Sequence, residues 1–168
     1  MSKQNQIVIV DSSPTDMRAK ISIVLRRSGY KTILIYLSGN AETEFHKKAY
    51  DLTIPFNGKF LKVNLKNIPK VFLYLIKKST IILKNLFLIK KLKPYLIIGR
   101  ANPNWLCFFF KKIFKKSPFV YFPYDIRSFV YDDMQEALKD GVPKFEINAE
   151  RYCFEKSHGI IHKGHEEE

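Results

Sequence analysis

The chain has 168 residues, 46% of them hydrophobic and 14% aromatic, which suffices for one domain with a sizeable core and excludes intrinsic disorder. Its 29 basic against 16 acidic residues give a net charge of +13, a surface that seeks phosphate without choosing among nucleic acid, anionic lipid and a nucleotide-linked substrate. Two cysteines, Cys107 and Cys153, exclude a disulfide framework, and the lysines that interrupt Val71 to Leu92 exclude a spanning helix of about 20 uninterrupted apolar residues.

Ile7 to Val10 is a β-branched run too short for a helix, as a strand buried on both faces requires. Asp11, Ser12 and Ser13 stand where that strand ends. Pro14 suits a first helical turn, Met17, Ile21, Val24 and Leu25 recur at helical spacing, and Gly29 stops the helix before the strand Thr32 to Leu37. In such a βαβ unit ligands bind beyond the carboxyl ends of the strands, so Ser12, Ser13, Asp16 and Arg18 border the expected crevice.

Ala41 to Tyr50 reads as a short helix or loop, and Lys62 to Leu65 as a third strand after the turn Asn57-Gly58. Pro69 opens a long helix with Lys70, Lys77, Lys84 and Lys91 at heptad spacing, most of which is expected to be buried against the sheet. Tyr95 to Gly99 is the fourth strand, and the turn after it adds Arg100, Asn102 and Asn104 to the crevice. Trp105 to Lys116 reads as a helix and Phe119 to Phe122 as the fifth strand, followed by a third polar turn with Tyr124, Asp125 and Arg127. Helices near Ser128 to Lys139 and Lys144 to Ser157 precede a last strand, Gly159 to His162. The alternation predicts a single α/β domain over residues 1–168, a three-layer Rossmann-like fold with a parallel sheet flanked by helices.

His158, His162 and His165 lie close together but lack the cysteines or spacing of a ligand set, so no metal site is expected. Neither a Gly-x-Gly-x-x-Gly nor a Walker-type loop occurs, which argues against a self-contained nucleotide enzyme and for no cofactor held by this chain. Phe108, Phe109, Phe110 and Phe114 interleave with Lys111, Lys112, Lys115 and Lys116, which fits either a core helix with snorkelling lysines or a helix at an anionic membrane surface. Nucleic-acid binding is disfavoured, because those aromatics fall at core positions and no binding module is recognised. The absence of an apolar leader segment points to a cytoplasmic protein, peripheral at most to the inner face of the membrane.

Four pieces taken in order carry a resemblance. They are Thr15-Asp16-Met17-Arg18 with the helix ending Leu25-Arg26-Arg27-Ser28-Gly29-Tyr30; Leu92-Lys93-Pro94 before a strand; Ser117-Pro118-Phe119-Val120-Tyr121 leading to Tyr124-Asp125; and the helix from Glu150 running into His158-Gly159-Ile160-Ile161. The chain resembles, over nearly its whole length, the N-terminal, acceptor-side domain of GT-B glycosyltransferases of the retaining two-domain type. Tyr95 stands where that family has an acid, and no His occurs in the turn at Pro123-Tyr124-Asp125, so the resemblance supplies no catalytic residue. It implies a glycan or lipid-linked acceptor in the crevice, and a nucleotide-sugar donor held by a second domain or separate chain that this sequence does not include. A non-catalytic domain binding a glycan, a membrane or a partner chain is the alternative, and a degenerate receiver-like domain, suggested by Val10-Asp11-Ser12-Ser13-Pro14, is the weaker one.

Overall fold

The β-branched run at Ile7 to Val10 forms the centre of the sheet, in strand β1 (Gln6–Asp11). A computed structural model of the chain describes residues 5–37, 43–56, 68–100, 103–123, 139 and 141–161, with side chains in the long helix described from residue 76 onward. After β1 come α1 (Asp16–Arg27), β2 (Lys31–Tyr36), α2 (Glu44–Ala49), β3 (Leu52–Pro55), α3 (Ile68–Lys90), β4 (Leu96–Arg100), α4 (Asn104–Ile113), β5 (Phe119–Phe122), α5 (Lys144–Lys156) and β6 (Gly159–Ile160). The described strands are all parallel in the order β3-β2-β1-β4-β5-β6. This is the doubly wound Rossmann-like order, with its switch point between β1 and β4. The 2-1-3-4-5 order of receiver-type sheets is not adopted.

Alternation along β1 sorts the core into two layers. Ile7 and Ile9 face α1 and α2, packing with Ala19, Leu34, Ala49 and Tyr50. Val8 and Val10 face the opposite way, among Ile33, Ile35, Ile97, Leu106, Phe110, Phe119, Tyr121 and Cys153. Helix α1 is seated by Ser22, whose hydroxyl lies 2.6 Å from Thr32 Oγ1 and donates to the Ala49 carbonyl at 2.7 Å. It ends at Gly29, whose φ of +87° only glycine adopts without strain.

One strand forms where none was expected, and one expectation is corrected. The third described strand is Leu52–Pro55, at the sheet edge, where the missing N–H of Pro55 is tolerated, and the expected strand at Lys62 to Leu65 lies outside the described residues. Helix α3, over its described side chains, is not mostly buried. From residue 76 on, only Ile89 is fully buried, with Ile82 and Leu86 partly so, while Leu83 and Phe87 are 65% and 61% exposed. A narrow seam holds the helix, with Asn85 Nδ2 donating to the Pro55 carbonyl at 2.7 Å. Among the described residues, no helix is long and apolar enough to cross a membrane.

Gly99 sits where β4 passes closest to its neighbours, since a Cβ there would lie 2.6 Å from the Phe119 ring and 3.0 Å from Cys107 Sγ. Both of those side chains are fully packed, so Gly99→Ala is expected to destabilise the domain by about 1–3 kcal/mol, read as a lower urea midpoint at unchanged slope.

Candidate functional site

Register assembles the site. β1 pairs β4 through Val10↔Gly99, β4 pairs β5 through Arg100↔Phe122, and β1 pairs β2 through Asp11↔Tyr36, so Tyr36, Asp11, Arg100 and Phe122 form one row across the carboxyl edge. Alternation turns Asp11 and Arg100 toward the α1 side of the sheet. Arg18, from the first turn of α1, reaches the same place.

Asp11 is fully buried, and its Oδ2 lies 3.6 Å from Arg18 Nε and 3.7 Å from Arg100 Nη1. Its Oδ1 accepts the Ser12 N–H at 2.7 Å and the Ser12 hydroxyl at 3.3 Å. Burial pushes the Asp11 carboxyl above its ordinary value, opposed by the charges of Arg100 and Arg18 and by the Ser12 hydrogen bonds. Burial lowers Arg18 in turn, opposed by Asp11. The Arg18 guanidinium lies 4.3 Å over the Phe122 ring, a stacked cation–π contact that fixes its plane. Tyr50, from the link between α2 and β3, feels the same charges: burial first, then Asp11, raise its hydroxyl. Asp11 Oδ2, Arg18 Nη1, Thr15 Oγ1 and the Tyr50 hydroxyl are all buried without a hydrogen-bond partner.

The expected site residues divide. Ser12, Arg18 and Arg100 come together at the switch point, with half-buried Ser13 next in the chain. Asp16 is exposed and turns to α2, its Oδ1 2.9 Å from Nε2 of His46. Because His46 Nδ1 accepts the Thr43 N–H, Nε2 carries the proton that Asp16 accepts. Asn104 is buried inside the domain, its side-chain Oδ1 accepting from the Tyr121 hydroxyl and its main-chain N–H donating to Glu146 Oε2, each at 2.8 Å. It therefore ties α4 to β5 and α5, with its side-chain oxygen engaged by Tyr121. Asn102, Tyr124, Asp125 and Arg127 lie outside the described residues.

Lys111 is corrected as a membrane-surface residue. Its side chain is buried, and its ammonium donates to the carbonyls of Lys115 and Ser117 at 3.2 and 2.8 Å, closing the end of α4. Lys112, Lys115 and Lys116 are exposed. Among the described residues, no cluster of His, Cys, Asp and Glu could hold a metal ion.

Sequence reading misses Phe122 and Tyr50. Phe122 had a usable signal, because the last residue of a buried strand shares the sheet's edge row. Tyr50 had none, since its approach to Asp11 depends on how α2 packs. Searches against protein-family models and against curated proteins each find no match for the chain.

Removing Arg18 leaves a buried carboxylate with one cation fewer. Arg18→Met is expected to cost about 3–5 kcal/mol at neutral pH, as breaking a buried ion pair does. Because the Asp11 carboxyl is already raised in the folded state, the native form takes up its proton more readily than the unfolded chain. Its contribution to stability is present at low pH and lost as pH rises, and more steeply without Arg18. Urea titrations at pH 7 and near pH 4.5 should find the gap between variant and wild type narrowing at the lower pH.

Proposed function

We propose that the chain is the acceptor-side half of a GT-B-type glycosyltransferase, active when a donor-binding domain or separate chain completes it. The observation that carries the reading is the sheet order β3-β2-β1-β4-β5-β6, with polar and cationic groups at its switch point. That is the half-enzyme architecture the sequence resemblance implies. Helix α5 running directly into β6 accords with the fourth piece of that resemblance. On this reading the acceptor, a glycan or a lipid-linked sugar, lies against the carboxyl edge beside Ser12, Arg18 and Arg100, and the nucleotide sugar is held by the other domain. Stabilisation of the departing nucleotide diphosphate then comes from outside this chain. The isolated chain should therefore transfer no sugar, whereas adding a donor domain should restore transfer. Turnover by the chain alone, or none with any donor domain, would favour a non-catalytic binding role.

Approach to an anionic membrane, from the inner face, is the second reading, favoured by α3. Ile76, Leu83 and Phe87 are exposed at spacings of seven and four, hence on one side of the helix. Exposed Lys77, Lys84 and Lys91 border them, with the Lys91 ammonium 4.2 Å over the Phe87 ring. Lys112, Lys115 and Lys156 line an open groove of about 510 Å³ at the amino edge of the sheet. Each lysine near an anionic leaflet contributes about 1 kcal/mol, and the contribution is screened by salt. Co-sedimentation should retain the chain on anionic vesicles at low salt and release it as salt rises. Leu83→Asp with Phe87→Asp should abolish retention, and replacing Lys112, Lys115 and Lys116 by Glu should weaken it; equal retention on neutral vesicles would sink the idea.

A further inference from the structure

We propose that Arg18, Arg100 and the amino end of α1 form a binding site for a phosphoryl group, with Asp11 as the internal counter-ion against which that group competes. The role of this group as part of the acceptor rests on the glycosyltransferase reading; the binding itself stands on the cluster alone.

Three independent features converge at this point of the fold. The first is charge: the guanidinium groups of Arg18 and Arg100 both face the Asp11 carboxylate, with Asp11 wholly shielded from water and Arg18 almost so, at 3% exposure. The second is geometry. Both ion pairs, at 3.6 and 3.7 Å, are longer than a hydrogen bond, so Asp11 Oδ2 consumes no guanidinium N–H, and Arg18 Nη1 is buried without a partner. Phe122 beneath the guanidinium holds that donor in a fixed plane, the condition under which arginine binds phosphate through paired N–H groups. The third is α1 itself, twelve residues long and entered through extended backbone at Thr15, whose side chain makes no cap. Asp16, the one acidic residue of its first turn, gives its carboxylate to His46 instead. First-turn N–H groups and the positive end of the helix dipole therefore remain without a side-chain cap beside Arg18, as in helix-terminal anion sites.

A phosphoryl group fits better than a carboxylate. Its two charges exceed the one that Asp11 already supplies, and its tetrahedral oxygens can meet two arginines and a helix end at once, whereas a planar carboxylate adds little to what Asp11 provides. The competition makes Asp11 diagnostic. A residue present only to hold the fold together would, when neutralised, alter stability and leave anion affinity unchanged; a competing counter-ion would, when neutralised, raise it.

The 168-residue chain is titrated calorimetrically at fixed ionic strength in chloride with inorganic phosphate, pyrophosphate, glycerol phosphate and, as the monocarboxylate control, acetate. Saturable binding of at least one phosphoryl probe is expected. Preference for glycerol phosphate would assign the site to a phosphate ester such as a lipid headgroup, and preference for inorganic phosphate or pyrophosphate to a free or leaving anion. Arg100→Gln should weaken binding tenfold or more, Asp11→Asn should tighten it several-fold, and Lys48→Gln, which removes an exposed charge elsewhere, should leave it unchanged. Circular dichroism verifies folding; if Asp11→Asn does not fold, Arg100→Gln against Lys48→Gln decides. No saturable binding, equal binding of acetate, or equal effects of the Arg100 and Lys48 changes would overturn the proposal. Phosphate binding without sugar transfer in any donor complex would retain the site and remove the glycosyltransferase reading, and transfer without phosphate binding would do the reverse.

Discussion

A carboxylate at the end of the central strand, in a place water does not reach, is the constraint around which the rest of the domain is arranged. β1 is covered on both faces from Ile7 to Asp11, and a charge left there alone would cost several kcal/mol. Its compensation comes from two separate elements, Arg18 on α1 and Arg100 on β4. Arg18 reaches Asp11 only because α1 is locked onto the sheet by Ala19 and by Ser22 bonding across to Thr32 and Ala49. Arg100 reaches it only because β4 lies directly beside β1. Loosening either element therefore exposes a buried ion to the full cost of desolvation, which couples the two halves of the sheet through one side chain.

The same geometry makes the site inseparable from strand register. Successive side chains alternate between faces, so the pairing Val10↔Gly99 puts glycine where Phe119 and Cys107 leave no room for a Cβ, and puts Arg100 on the opposite face beside Asp11. A slip of one residue would bury Arg100 against Phe119 and turn Gly99 toward α1. Close packing on one face thus selects the register that builds the charged cluster on the other.

Much of this was legible in sequence where a local rule decides. The β-branched run of β1, the helical spacing and Gly29 stop of α1, and the proline-led β5 are each fixed by residues within a few positions. What was not legible depends on partners far along the chain. β3, with Asp51 before it and Pro55 inside it, carries too few apolar residues to declare itself, and is a strand because β2 offers an edge to pair with. α3 is apolar on nearly every side, which reads as burial, yet from residue 76 on the seam through Ile82, Asn85, Leu86 and Ile89 is what meets the domain. Lys111 belongs by composition to a charged surface, but its four-carbon stem lets the ammonium fold back onto two carbonyls. In the site itself, Ser12, Arg18 and Arg100 follow from the rule that ligands meet strand ends, whereas Asn104 obeys that rule in sequence and has its side-chain oxygen taken by the Tyr121 hydroxyl.

The two edges of the sheet differ in how completely their polar groups are satisfied. At the amino edge Ser117 Oγ donates to the Pro94 carbonyl at 2.7 Å, Lys111 closes the last turn of α4, and His158 is bonded to Phe119 through both its main chain and its ring. At the carboxyl edge Asp11 Oδ2, Thr15 Oγ1, Arg18 Nη1 and the Tyr50 hydroxyl, all in or beside one charged cluster, are buried without partners. Each such group costs about 1–3 kcal/mol against one that is satisfied. A domain stable by only about 5–15 kcal/mol does not carry several of them in one place for the sake of the fold, and at the amino edge, among the described residues, Gln6 Oε1 alone is left so. The imbalance is accounted for if the carboxyl edge is shaped for an occupant that supplies the missing partners, because stability given up there is recovered on binding.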